Sequence, residues 1–203
     1  MRAYGKFMLA LACTVAFATV VAPGTSEAAK ECNGVFTNQA INEGLVVNDG
    51  DFCELDSVAV NGSLTVNGGT IIVNNSTING NWSITGNVDA PEQQFCNNNI
   101  NGSLTVHDVT SALELAFGEA GTGCGGGTIN GSVTAVNSPD VFFEVDQYTV
   151  NGRLTILGVG GGEVEGTTVN GTATCQPGIF NDVDVGDKVS PNTYRGPNNG
   201  CPP

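Results

Sequence analysis

The sequence predicts an all-β protein: a single-stranded parallel β-helix, a triangular β-solenoid of about 18–22 residues per coil with disulfide-closed ends. Three observations predict it. Val or Ile followed by Asn-Gly, two further residues and a Ser or Thr recurs six times, beginning Val60-Asn61-Gly62, Ile78-Asn79-Gly80, Ile100-Asn101-Gly102, Ile129-Asn130-Gly131, Val150-Asn151-Gly152 and Val169-Asn170-Gly171. The asparagines lie 18, 22, 29, 21 and 19 residues apart. Within each copy the large apolar residues alternate, as in Val58, Val60, Leu64 and Val66, which is the period of a strand with one buried side. Finally, Val60, Val66, Ile72, Ile78 and Ile84 follow at intervals of six. Three six-residue faces make a coil of 18, the gap from Asn61 to Asn79. Meandering hairpins explain neither period.

The chain opens on a targeting segment, residues 1–28. Arg2 and Lys6 precede the uncharged apolar run from Phe7 to Val21, and Ser26-Glu27-Ala28 offers small residues to a signal peptidase, with Ala29 as the rival cleavage point. The run is short of the ~20 residues that a spanning helix needs. Secretion to the cell surface or medium is therefore expected, with the periplasm as the other exported compartment and no membrane insertion. The solenoid follows over residues 29–176. Its Asn-Gly corners suit positive φ, which Gly accepts and Asn tolerates. The longer gaps are expected to be corner insertions, one containing Gly125-Gly126-Gly127 and another Gly160-Gly161-Gly162. Between Ser111 and Gly118 a Ser start and a Gly stop suggest a short helix or loop. Residues 177–203 form an irregular cap, in which Pro191, Pro197, Pro202 and Pro203 oppose strand pairing.

Without the leader, six cysteines remain, and an even number in an exported chain points to disulfides. No C-x-x-C occurs and His107 is the single histidine, which speaks against zinc. Fifteen pairings are open to six cysteines. Sequential pairing is expected, since Cys32–Cys53, Cys96–Cys124 and Cys175–Cys201 each bracket one structural unit: the first coil, the central insertion and the tail. Loss of Arg2, Lys6 and Glu27 with the leader takes the net charge from −14 to −15. Such a surface repels phosphate backbones and anionic lipid, so nucleic acid is not an expected partner.

The chain resembles a group of small secreted bacterial β-helix proteins. The resemblance rests on the start Cys32-Asn33-Gly34, the six repeats and the closing Asn198-Asn199-Gly200-Cys201. It implies a β-helical architecture and carries over no functional residue. The six-residue period is also similar to that of bactofilins, which polymerise end to end; those are cytosolic and cysteine-poor, and this chain departs from them on both counts.

The pattern that points to function is a surface array. If the apolar residues face in, one outward file is Ser63, Asn81, Ser103, Ser132, Arg153, Thr172, and a second is Thr65, Ser83, Thr105, Thr134, Thr155, Thr174. Stacked coils place such residues ~4.8 Å apart, a spacing able to match a regular polar lattice such as a polysaccharide or ice. Ser and Thr also simply suit exposed strands. Asp140, Glu144 and Asp146 form one acidic cluster near a corner, and Asp182, Asp184 and Asp187 form another that would suit calcium. Trp82 is expected in the core and His107 on the surface. No cofactor is implied. The expected role is structural or adhesive and non-catalytic, with extracellular polysaccharide or the cell envelope as partner. A carbohydrate- or lattice-binding module using the Ser/Thr files is the alternative, and an enzyme acting on polysaccharide is third. The expected state is a monomer or small oligomer.

Overall fold

A computed structural model describes residues 28–88, 92–110, 114–118, 124–180 and 191–203. The apolar alternation does produce strands, and every strand pair is parallel and joins a segment to its counterpart in a neighbouring coil. The strands line three faces. The first face follows each Asn-Gly corner, with Leu45–Asn48 and the starts of the strands Leu64–Asn74, Trp82–Val88, Leu104–Val109, Val133–Asp146 and Leu154–Glu165. The second holds Gly34–Thr37, Phe52–Asp56, Glu114–Phe117 and the far halves of the long strands. The third is a separate sheet of eight two-residue strands, from Ala40–Ile41 to Thr193–Tyr194.

The interior is built in slots. Leu45, Leu64, Trp82, Leu104, Val133, Leu154 and Ala173 occupy one register position in successive coils, and all are fully buried. The same holds on the third face for Val60, Ile78, Ile100, Ile129, Val150 and Val169. Trp82 is wholly buried as expected, edge-on to Phe95 at 4.9 Å and Phe117 at 5.4 Å. Such an aromatic cluster packs the interior of the middle coils densely.

Four expectations need correction. Ile72 points outward, half-buried, while Ile71 and Val73 face in. The corner at Gly68 and Gly69, both at positive φ, shifts the inward set by one residue, so the six-residue spacing breaks there. The Asn-Gly corners are not at positive φ; that conformation falls instead at the turn into the third face, at Asn38, Ser57, Asn75, Asn97 and Gln147. Glycine is needed after the ladder asparagine for another reason. A Cβ on Gly102 would lie 2.5 Å from the Gly80 carbonyl oxygen of the coil below. Next, Glu114–Phe117 is a strand and not a helix, because the flanking strands offer it pairing on both sides. Lastly, Gly160-Gly161-Gly162 lies inside the strand Leu154–Glu165 and is no corner insertion. There a Cβ on Gly161 would press on the Phe142 ring at 3.0 Å.

The bridges Cys32–Cys53, Cys96–Cys124 and Cys175–Cys201 are all present, with Cα separations of 5.4, 4.7 and 4.8 Å. The first ties the first coil to the second. Gly34–Thr37 has a strand partner on one side only among the described residues, and Val35 is 59% exposed.

Candidate functional site: an uncharged hydroxyl face

The corner asparagines meet as a ladder. Each donates its Nδ2–H to the Oδ1 of the asparagine one coil earlier, from Asn170 through Asn151, Asn130, Asn101, Asn79 and Asn61 to Asn42, at 2.6–2.9 Å. Asn42 was not in the sequence pattern because Glu43 replaces its glycine. The glycine amides run alongside, each of Gly80, Gly102, Gly131, Gly152 and Gly171 donating to the glycine carbonyl of the previous coil. A second ladder lies inside the turn into the third face. Ser76 Oγ accepts from the Val58 amide, Asn98 Oδ1 from the Ser76 amide, Thr167 Oγ1 from the Tyr148 amide and Asn192 Oδ1 from the Thr167 amide. These side chains, buried at Ser76, Asn98 and Thr167 and half-buried at Asn192, satisfy amides that the corner takes out of the sheet.

The two outward files differ in what their polar atoms do. In the file next to the ladder, Ser63 Oγ accepts from the Asn81 amide, Asn81 Oδ1 from the Ser103 amide, Ser103 Oγ from the Ser132 amide and Ser132 Oγ from the Arg153 amide. These side chains are corner caps. Thr172 ends the file, half-buried. In the other file, Thr65, Ser83, Thr105, Thr134, Thr155 and Thr174 stand in unbroken register, half-buried. Their hydroxyls make no hydrogen bond to the rest of the described chain. Sequence reasoning did not separate the files, since Ser and Thr look alike until the corner geometry is known.

A third file went unread. Thr77, Asn99, Thr128, Thr149, Thr168 and Thr193 stand in register on the third face, two residues before the corner position. The signal was present in the sequence as Thr-x-Asn-Gly, repeated at Thr77, Thr128, Thr149 and Thr168.

Charge is partitioned among the faces. Acids are sparse at the described outward strand positions of the first and third faces, where Glu31 stands in the first rung and Asp108 near the end of the strand Leu104–Val109. His107 faces out from the first face, beside Val136, with Nδ1 3.0 Å from Asp108 Oδ2. The second face carries Glu54, Asp56, Glu114, Glu144, Asp146, Glu163 and Glu165. Of the Asp140, Glu144, Asp146 group, Asp140 is exposed, whereas Glu144 and Asp146 are buried together with Glu163 and Glu165 on the adjoining strand. The group is therefore not a solvated corner. Burial first, then Glu144, Glu163 and Glu165, push the Asp146 carboxyl from 3.8 up to about 9. Among the described residues no three His, Cys, Asp or Glu side chains are disposed to hold a metal ion. Asp182, Asp184 and Asp187 lie outside the described residues, as do residues 1–27, where the leader is expected.

No family model matches this chain, and neither the curated proteins nor the solved structures contain a significant match.

Proposed function

We propose that the protein is a non-catalytic adhesive or structural module of the cell exterior, and that it lies along a neutral, hydroxyl-rich polymer with its first face. The observation that carries this is the register of six unengaged hydroxyls from Thr65 to Thr174, on a face whose described acids are Glu31 in the first rung and Asp108 near the end of one middle strand. An acidic protein that gathers its carboxylates on another face leaves this one suited to uncharged polar matter and unsuited to polyanions. Stacked coils repeat the hydroxyls at ~4.8 Å, so a polymer with its own regular hydroxyls gains several weak contacts at once. Secretion and the leader belong to this proposal; three disulfides agree with an oxidising compartment.

The test is co-sedimentation with a panel of insoluble polysaccharides, neutral and acidic, beside envelope fragments of the host. The disulfide-bonded protein is expected to pellet with neutral glycans. Thr105→Glu/Thr134→Glu is expected to lose that binding, while Glu54→Gln on the second face keeps it. Equal binding by both variants rules out the first face as the contact.

A further inference from the structure

Nine Asn-Gly dipeptides occur in the chain, at Asn33, Asn61, Asn67, Asn79, Asn101, Asn130, Asn151, Asn170 and Asn199. Asn-Gly is the dipeptide most open to spontaneous deamidation, because glycine leaves its own backbone nitrogen unhindered. That nitrogen attacks the asparagine Cγ. A C–N bond forms, ammonia leaves, and the five-membered succinimide then takes up water to give aspartate or isoaspartate. The reaction needs a side chain free to turn and a following amide free of its hydrogen bond.

The fold sorts the nine sites by these two requirements. Asn79, Asn101, Asn130 and Asn151 are held at both ends of the carboxamide by the ladder, and the amides of Gly80, Gly102, Gly131 and Gly152 donate to the coil below. Asn33 donates to Asp51 Oδ1. Asn61 is bonded to Asn42 and Asn79, and Asn170 donates to Asn151 while the Gly171 amide donates to Gly152. Asn67 is exposed, but its backbone is held within the strand Leu64–Asn74, paired with Thr85. Asn199 is different. It is exposed, its carboxamide makes no hydrogen bond to the described chain, and neither does the amide of Gly200, which stands at φ +85°. The segment is nonetheless placed, since Asn198–Asn199 pairs with Ala173–Thr174, and Cys201 is bonded to Cys175.

We infer that Asn199 is a modification site: the position at which this protein deamidates first, while the ladder shields its own asparagines. Each interior ladder site must give up two side-chain bonds and one backbone bond before it reacts. Its conversion is therefore expected to be slower than that of Asn199 by roughly tenfold or more. The product adds a negative charge at the C-terminal clip. As isoaspartate it also lengthens the backbone by one methylene between the Ala173–Cys175 pairing and the Cys175–Cys201 bridge.

The experiment is incubation of the disulfide-bonded full chain in mildly alkaline buffer, with peptide mapping at intervals for aspartate and isoaspartate. A reduced, denatured sample is the control. The expected result is early conversion at Asn199 and intact Asn79, Asn101, Asn130 and Asn151, with that order erased in the denatured chain. Conversion of the interior ladder sites as fast as Asn199 in the folded protein overturns the inference, and so does an Asn199 that outlasts them. Asn199→Gln should suppress the first charge variant without altering the ladder sites; persistence of that variant is equally fatal.

Discussion

Asp146 is a buried acid whose cost can be read at the scale of one residue. It is 2% exposed, its Oδ1 has no hydrogen-bond partner, and three glutamates bear on it. Because its carboxyl is raised from 3.8 to about 9, the folded state holds a proton that the unfolded chain releases. The stability it contributes is complete below about pH 4 and is lost as pH rises through 9. Asp146→Asn should flatten that decline, so the variant melts higher than the parent at pH 8 and about equally at pH 4. Parallel melting curves across that range, in parent and variant alike, would show that Asp146 ionises normally. Leu104 is the simpler case. It is fully buried in the slot between Trp82 and Val133, so Leu104→Ala should cost about 3 kcal/mol in denaturant unfolding.

At the scale of the element, the corner ladder invites two substitutions with different signatures. Asn101→Ala removes one bond to Asn79 and one from Asn130, a loss of about 1–2 kcal/mol. Asn101→Asp keeps the acceptor for Asn130 but sets a carboxylate oxygen against Asn79 Oδ1. It should be the more destabilising near neutral pH and should recover on acidification below about pH 4, when the carboxyl regains a proton to donate. Melting of both variants at two pH values separates them. Gly102→Ala tests the companion row: its methyl would meet the Gly80 carbonyl, and a loss of about 2 kcal/mol is expected.

Much of this element was legible in the sequence. A slot that repeats in every coil leaves a repeat in the chain, so the ladder asparagines and the Leu64–Trp82–Leu104–Val133–Leu154 row could be read directly. What escaped was set by contacts between coils. Asn42 and Arg195 hold ladder positions without the Asn-Gly pair. Glu114–Phe117 has local helix signals and is overruled by its neighbours' edges. Ile72 is turned outward by the conformation of two glycines upstream. At the candidate site, the Thr65–Thr174 file was found. Its distinction from the Ser63 file depends on which hydroxyls the corner amides consume, and spacing does not encode that.

At the scale of the whole molecule, the partition of charge sets how copies meet. Second faces repel one another, and among the described residues Gly34–Thr37 of the first coil is one strand with an unpaired edge that could associate. A net charge of −14, or −15 if the expected leader is removed, should keep the oxidised protein a monomer or small oligomer in light scattering at physiological salt. Filaments growing end to end with all three bridges intact would refute this.

The ladder also gives the particle a direction. All six side-chain bonds point the same way, each amide N–H toward the N-terminal end and each carbonyl oxygen toward the C-terminal end. Their dipoles add along the axis as peptide dipoles do in a helix. The tips are therefore unlike poles: Asn42 presents donors, and the row stops at the Asn170 oxygen, which is buried and unpaired beneath the rung that carries Arg195. A second copy seeking to extend the row must bring its Asn42 to that oxygen, and the last rung stands in the way. The rod is polar, and its amide row ends inside the molecule that built it.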